Sequence, residues 1–145
     1  MAVFITRAIQ MEALYSVVFN NNGEPNFTSY SFGEVSIKID TKSRRHNHSE
    51  DANIRIKDYK AATETLWARI KSGDIDSSIY TPDQLSAIEL NTKIDSWIKI
   101  PDLTWHHNGN TLNSDGTGNM MLVKTDVHQL FTHKGWHSYL KNGDI

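Results

Sequence analysis

Five of the seven histidines of this chain, His106, His107, His128, His133 and His137, fall in its last forty residues. The sequence holds no cysteine, which excludes thiolate metal sites, disulfides and cysteine nucleophiles. Any transition metal must therefore be held by His, Asp or Glu, and clustered imidazoles suit a borderline divalent ion such as zinc or nickel. His106 and His107 are adjacent in "TWHHNGN". Neighbouring side chains of a strand point to opposite faces, so a regular strand cannot aim both rings at one ion. The pair is expected to divide its work. One imidazole on an ion and another free to accept a proton is the combination a metal nuclease needs. The ion neutralises the scissile phosphate and leaving oxygen, and the free ring, whose ordinary pKa lies near working pH, activates water. The residue types leave open which of the two does which.

The elements that must position these rings are legible around them. "WIKIPDLTW" is β-favourable with a turn at Pro101-Asp102, which puts Thr104 to His107 at the end of a strand. "NGNTLNSDGTG" reads as a loop and "NMMLVK" as a second short strand. Thr125 is placed to cap a final helix that starts at Asp126 and stops at Gly135. Further upstream, "EVSIKID" alternates as a half-buried strand does. A helix is expected from an N-cap at Ser49, through Tyr59, Ala62, Leu66 and Ile70, to a glycine stop at Gly73. Thr81-Pro82-Asp83-Gln84 announces a second helix by a capping box. "NNNGEPN" at residues 20–26 is a loop. Trp67, Trp97, Trp105 and the Met120-Met121 pair read as packing residues, and His46 and His48 as surface or hydrogen-bonded ones.

"TWHH" with its polar loop, then "NMMLVKTDVH" and "FTHKG", resembles the HNH and endonuclease VII superfamily, and within it the Trp-His-His group of bacterial toxin nucleases. The resemblance spans Trp105 to Gly135. Asn119, the apolar strand after it and the interval to His128 are also similar to colicin-type DNases. From "SRRHNHSEDA" through "ATETLWARI" and "TPDQL", the chain looks like the helical lead-in of such toxin domains. The resemblance implies an α+β fold, a single domain over residues 1–145 with a C-terminal ββα-metal finger at about 103–137. It implies that His107 is the general base, that His106, His128 and His133 are metal ligands, and that Asn119 orients the base by bonding a backbone carbonyl of the loop. His128 and His133 are five residues apart, about 140° around a regular helix, so they share an ion only if the helix ends before His133; His137 is the alternative ligand.

The function so implied is a metal-dependent endonuclease with one divalent ion (Zn, Ni, Mg or Mn), acting on the phosphate backbone of DNA with little sequence preference. It further implies an antibacterial toxin made in one bacterium's cytoplasm, delivered into another, and restrained by a cognate immunity protein. A ribonuclease of the same fold is one rival reading. A non-catalytic metal-binding or nucleic-acid-binding module is the other. A structural zinc site is disfavoured, since such sites are closed by four protein ligands and mostly use Cys. The net charge of −2 argues against a nucleic-acid binder. A local basic strip nevertheless runs through residues 41–60, where Arg44 and Arg45 are candidates for phosphate contact. No stretch approaches the length of a membrane span. Arg7 and Glu12 interrupt the apolar N-terminal residues, so a signal peptide is not expected.

Overall fold

A computed structural model of the chain describes residues 2–4, 15–131 and 134–145. Strands β1 (Ala2–Phe4), β2 (Val17–Phe19) and β3 (Pro25–Asn26) make a small antiparallel sheet in that order. The expected loop "NNNGEPN" lies largely between β2 and β3, where Gly23 takes a left-handed φ of 83° that suits a residue without Cβ.

The second sheet carries His106 and His107. It consists of β4 (Ser31–Lys38), β5 (Leu103–Asn108) and β6 (Thr117–Lys124), in the antiparallel order β4-β6-β5. The alternation seen in the sequence sets β4: Val35 and Ile37 are buried while Ser36 and Lys38 are exposed. Central β6 is covered on both faces. Met120 and Leu122 join the larger core with Val35, Ile37, Leu66 and Trp105, whereas Met121 and Val123 join a second cluster with Val17, Phe27, Val127 and Phe131. β5 lies at the sheet edge, so side chains from its two faces can meet around that edge.

Among the described residues there are four α-helices. Helix α1 (Asp51–Ser72) lays Asp58, Ala62, Thr63, Leu66 and Ile70 inward, a stripe advancing by three or four residues as an amphipathic helix requires. Gly73 ends it in the left-handed conformation, as expected. The N-cap is Glu50 and makes no side-chain cap bond; the Ser49 hydroxyl, expected there, donates instead to Asn47 Oδ1. Helix α2 (Pro82–Asn91) opens with the expected capping box between Thr81 and Gln84. Its residues then pin the approach to β5. Gln84 Nε2 donates to Pro101 O, buried Asn91 bonds both the N–H and the carbonyl of Ile98, and Lys60 Nζ of α1 donates to the carbonyls of Asn91, Ile94 and Ser96. The turn at Pro101-Asp102 follows, with Asp102 at φ 64°.

The single C-terminal helix expected from Asp126 to Gly135 is two short ones, α3 (Thr125–Leu130) and α4 (Trp136–Lys141). Thr125 is the first helical residue rather than the cap, and its hydroxyl bonds that of Thr104 at 2.7 Å. Phe131 leaves the helix in extended backbone (φ −115°, ψ 121°) and buries its ring edge-on to Phe27. Gly135, expected as a stop, is the N-cap of α4. Burial of Phe131 thus overrides the helical signal at that point. The observed architecture is α+β, and β5, β6 and α3 form a ββα unit.

Candidate active site

β5 divides the two adjacent histidines between the faces of the sheet. His106, opposite Met121 of β6, turns toward Phe27, whose ring meets it edge-on at 5.0 Å, and toward His128 of α3, whose ring centre lies 5.4 Å away. His107, opposite Met120, turns toward α1 and α4, with its ring 4.9 Å from Trp136 and 5.2 Å from His137. Both histidines are nearly buried, at 3% and 4% exposure. At the strand edge they line one cleft of about 110 Å³ together with His128, Arg55, Tyr59 and Gly135.

The separation of the His106 and His128 rings matches that of two imidazoles on one divalent ion. With metal–nitrogen bonds of about 2.0–2.1 Å, two imidazoles at a tetrahedral angle place their ring centres roughly 5 Å apart, close to the observed 5.4 Å. The third expected ligand, His133, lies outside the described residues, and among the described residues no group of three possible ligands gathers. α3 ends at Leu130.

On the other face His107 enters a buried ionic network. Its Nε2 lies 2.8 Å from Asp58 Oδ2. Asp58, 2% exposed, accepts both terminal guanidinium nitrogens of Arg44 at 2.6 and 2.7 Å, a bidentate geometry that favours the ionised carboxylate. Burial works to raise the Asp58 pKa, but the bonds from Arg44 and His107 outweigh it and hold the group below the usual carboxylate range. Burial pushes His107 below the ordinary imidazole value despite the neighbouring carboxylate. The ring is therefore neutral near pH 7, the state a general base requires. Trp136 supports it, donating from Nε1 to Asn119 O and lying against Gly118, where a Cβ would come within 2.5 Å of the indole. Gly135 presses on His107 still more closely: a Cβ there would stand 2.2 Å from the His107 carbonyl oxygen.

Residues 98–143 match the model of a family described as a nuclease of the HNH/ENDO VII superfamily with conserved WHH. This segment is similar to WHH-type nucleases. Its triplet is Trp105-His106-His107, and the match takes in both strands of the ββα unit, α3 and α4. No curated protein and no solved structure matches the chain.

Within the matched segment, Asn119 bonds differently from expectation. Its Oδ1 accepts from the side chains of Asn113 and Ser36, each at 2.8 Å, and among the described residues its amide nitrogen donates to no loop carbonyl. Its link to His107 runs through its own carbonyl and the indole of Trp136. His137 is not an alternative ligand in this arrangement, because both ring nitrogens are engaged: Nε2 lies 2.7 Å from Asp51 and Nδ1 3.2 Å from Arg44. Upstream of the unit, Arg44 is only 6% exposed and committed to Asp58, which removes it from any phosphate contact. Arg45 is exposed and bonds the Ile145 carbonyl. His46 and His48 lie at the surface, and Trp105, Met120 and Met121 are core, as expected.

Two residues of the site escaped sequence reasoning, and both come from α1: Asp58, which contacts His107, and Arg55, which lines the cleft. Asp58 stands one turn ahead of Ala62 and Leu66 in the inward stripe; a carboxylate at an apolar register position was the available signal. Arg55 lines the cleft while held by Asp51 and Ser138, at 3.0 and 3.2 Å. Its presence there depends on how α1 crosses β5, which no local pattern encodes.

Proposed function

We propose that the chain is a metal-dependent endonuclease that hydrolyses phosphodiester bonds in DNA with little sequence preference. The observation carrying this reading is the division of Trp105-His106-His107: one imidazole is paired with His128 at a distance suited to a shared ion, and the next is neutral, buried and beside the same cleft. His106 and His128 would hold the ion, with His133 as third ligand. When bound, the ion supplies charge neutralisation at the scissile phosphate and the departing oxygen. His107 takes the proton of the attacking water. Arg55, whose guanidinium is fixed by Asp51 and Ser138 at the cleft wall, orients a phosphate oxygen. Arg45 is retained as a peripheral phosphate contact.

The resemblance of this stretch to bacterial toxin nucleases supports a narrower reading. On it, the chain is a toxin domain made in the bacterial cytoplasm, delivered into a competing cell, and neutralised at home by an immunity protein that covers the cleft. An acidic immunity protein would bind less tightly as salt rises.

The test is plasmid nicking by the purified chain with Mg, Mn, Zn or Ni, alongside total RNA. Cutting of plasmid in at least one metal is expected, and His107→Ala should lower the rate by roughly 10²-fold or more while leaving metal binding intact. Degradation of RNA alone would make the protein a ribonuclease. DNA binding without cutting under any ion would overturn the enzyme reading.

A further inference from the structure

Asp58 lies outside the matched segment, on α1, yet it is the carboxylate in contact with His107. Burying a carboxylate costs several kcal/mol unless its oxygens are satisfied, and both Asp58 oxygens are satisfied by Arg44 and His107. An ionised carboxylate only accepts hydrogen bonds. The histidine nitrogen facing it must therefore be the one that bears hydrogen, and that nitrogen is Nε2. A neutral imidazole protonated at Nε2 has its lone pair on Nδ1. Among the described residues, no hydrogen bond engages His107 Nδ1, and the one sealed side-chain atom without a partner is Arg44 Nε. Nδ1 is thus left open, on a ring that lines the cleft.

We propose that Asp58 is a positioning residue that locks His107 in the Nε2–H tautomer, so that Nδ1 is the nitrogen that receives the proton of the attacking water. Arg44 holds Asp58 by its two-pronged contact, and its bond to His137 Nδ1 ties that contact to α4. In the step, a water O–H bond breaks and its proton goes to Nδ1. The oxygen bonds phosphorus, and the bond from phosphorus to the leaving oxygen breaks with its electron pair. The imidazolium so formed keeps Nε2–H on Asp58, which remains a carboxylate throughout. This inference rests on His107 being the base of the proposed nuclease.

Two readouts test it, and the first needs no turnover. Two-bond ¹H–¹⁵N correlation spectra of the full, ¹⁵N-labelled chain should show His107 as the Nε2–H tautomer with an unprotonated Nδ1; an Nδ1–H tautomer overturns the proposal. In the nicking assay Asp58→Asn should lower kcat by on the order of 10⁴-fold, as when a triad histidine loses its orienting carboxylate, with KM for plasmid changed less than threefold. A folded Asp58→Asn that cuts at the native kcat overturns it. Should Asp58→Asn not fold, Arg44→Lys, which keeps a cation beside Asp58, is read in its place; its His107 spectrum should retain the Nε2–H tautomer, and a switch to Nδ1–H counts against the proposal. A wild-type chain that cuts no nucleic acid removes the nuclease reading and the proton-transfer half of this inference, whereas the tautomer is still read from the spectrum.

Discussion

At the scale of single residues, the site depends on adjacent imidazoles having unlike surroundings. His106 sits among aromatic rings and a second histidine, and His107 sits against a carboxylate already satisfied by arginine. Their types and adjacency were enough to expect a division of labour, because strand geometry separates neighbours. Their partners were not legible: Asp58 and Arg44 lie some fifty and sixty residues upstream and meet His107 only through packing. Arg44 shows the difficulty well, since a basic pair in a polar stretch gives no sign that one member is buried in an ion pair and the other exposed. Gly135 is the sharpest steric constraint. Gly135→Ala would drive a methyl into the His107 carbonyl, an overpacking that costs about 1–3 kcal/mol. The melting temperature should fall by several degrees and nicking should drop tenfold or more; a variant with native values of both would show that β5 and the 134–136 segment are not so closely packed.

At the scale of elements, two boundaries written in side-chain chemistry hold, whereas the caps expected at Ser49 and Thr125 do not. The capping box at Thr81 and the glycine stop at Gly73 are local devices, satisfied by neighbouring backbone, and the structure has both. The C-terminal helix was misjudged because its end is set by a tertiary event, the burial of Phe131 against Phe27, and Gly135 serves a start as readily as a stop. The ββα order itself was legible from the loop-rich "NGNTLNSDGTG" between two β-favourable runs. Thr81→Ala removes one half of the capping box and should cost about 1 kcal/mol of unfolding free energy, measured by urea titration. Since α2 lines no part of the cleft, kcat should be unchanged. A large loss of kcat at undiminished stability would mean that α2 acts on the site through β5.

At the scale of the whole molecule, two faces of one sheet are sealed by different parts of the chain, and the cleft opens where they meet at edge strand β5. The His137–Asp51 and Arg44–Asp58 contacts tie α1 to α4 and to the segment before α1, so protonation should loosen this assembly as a unit. Burial lowers the His137 pKa to about 4 although Asp51 opposes the shift. The unfolded chain binds that proton near pH 6.5, hence the stabilising contribution is complete above pH 6.5 and is lost as pH falls toward 4. His107 shifts in the same direction. Asp51 and Asp58, both held below the normal carboxylate range, add a further loss below about pH 4. Urea midpoints should therefore decline between pH 7 and pH 5, and a flat profile over that interval would contradict a neutral, doubly bonded His137. The most direct measurement of all is anomalous diffraction from crystals soaked in nickel, zinc or manganese. The account predicts a single peak between the His106 and His128 rings with His107 off the ion and its Nδ1 facing the cleft; no peak under any of these ions, or a peak ligated by His107, would contradict it.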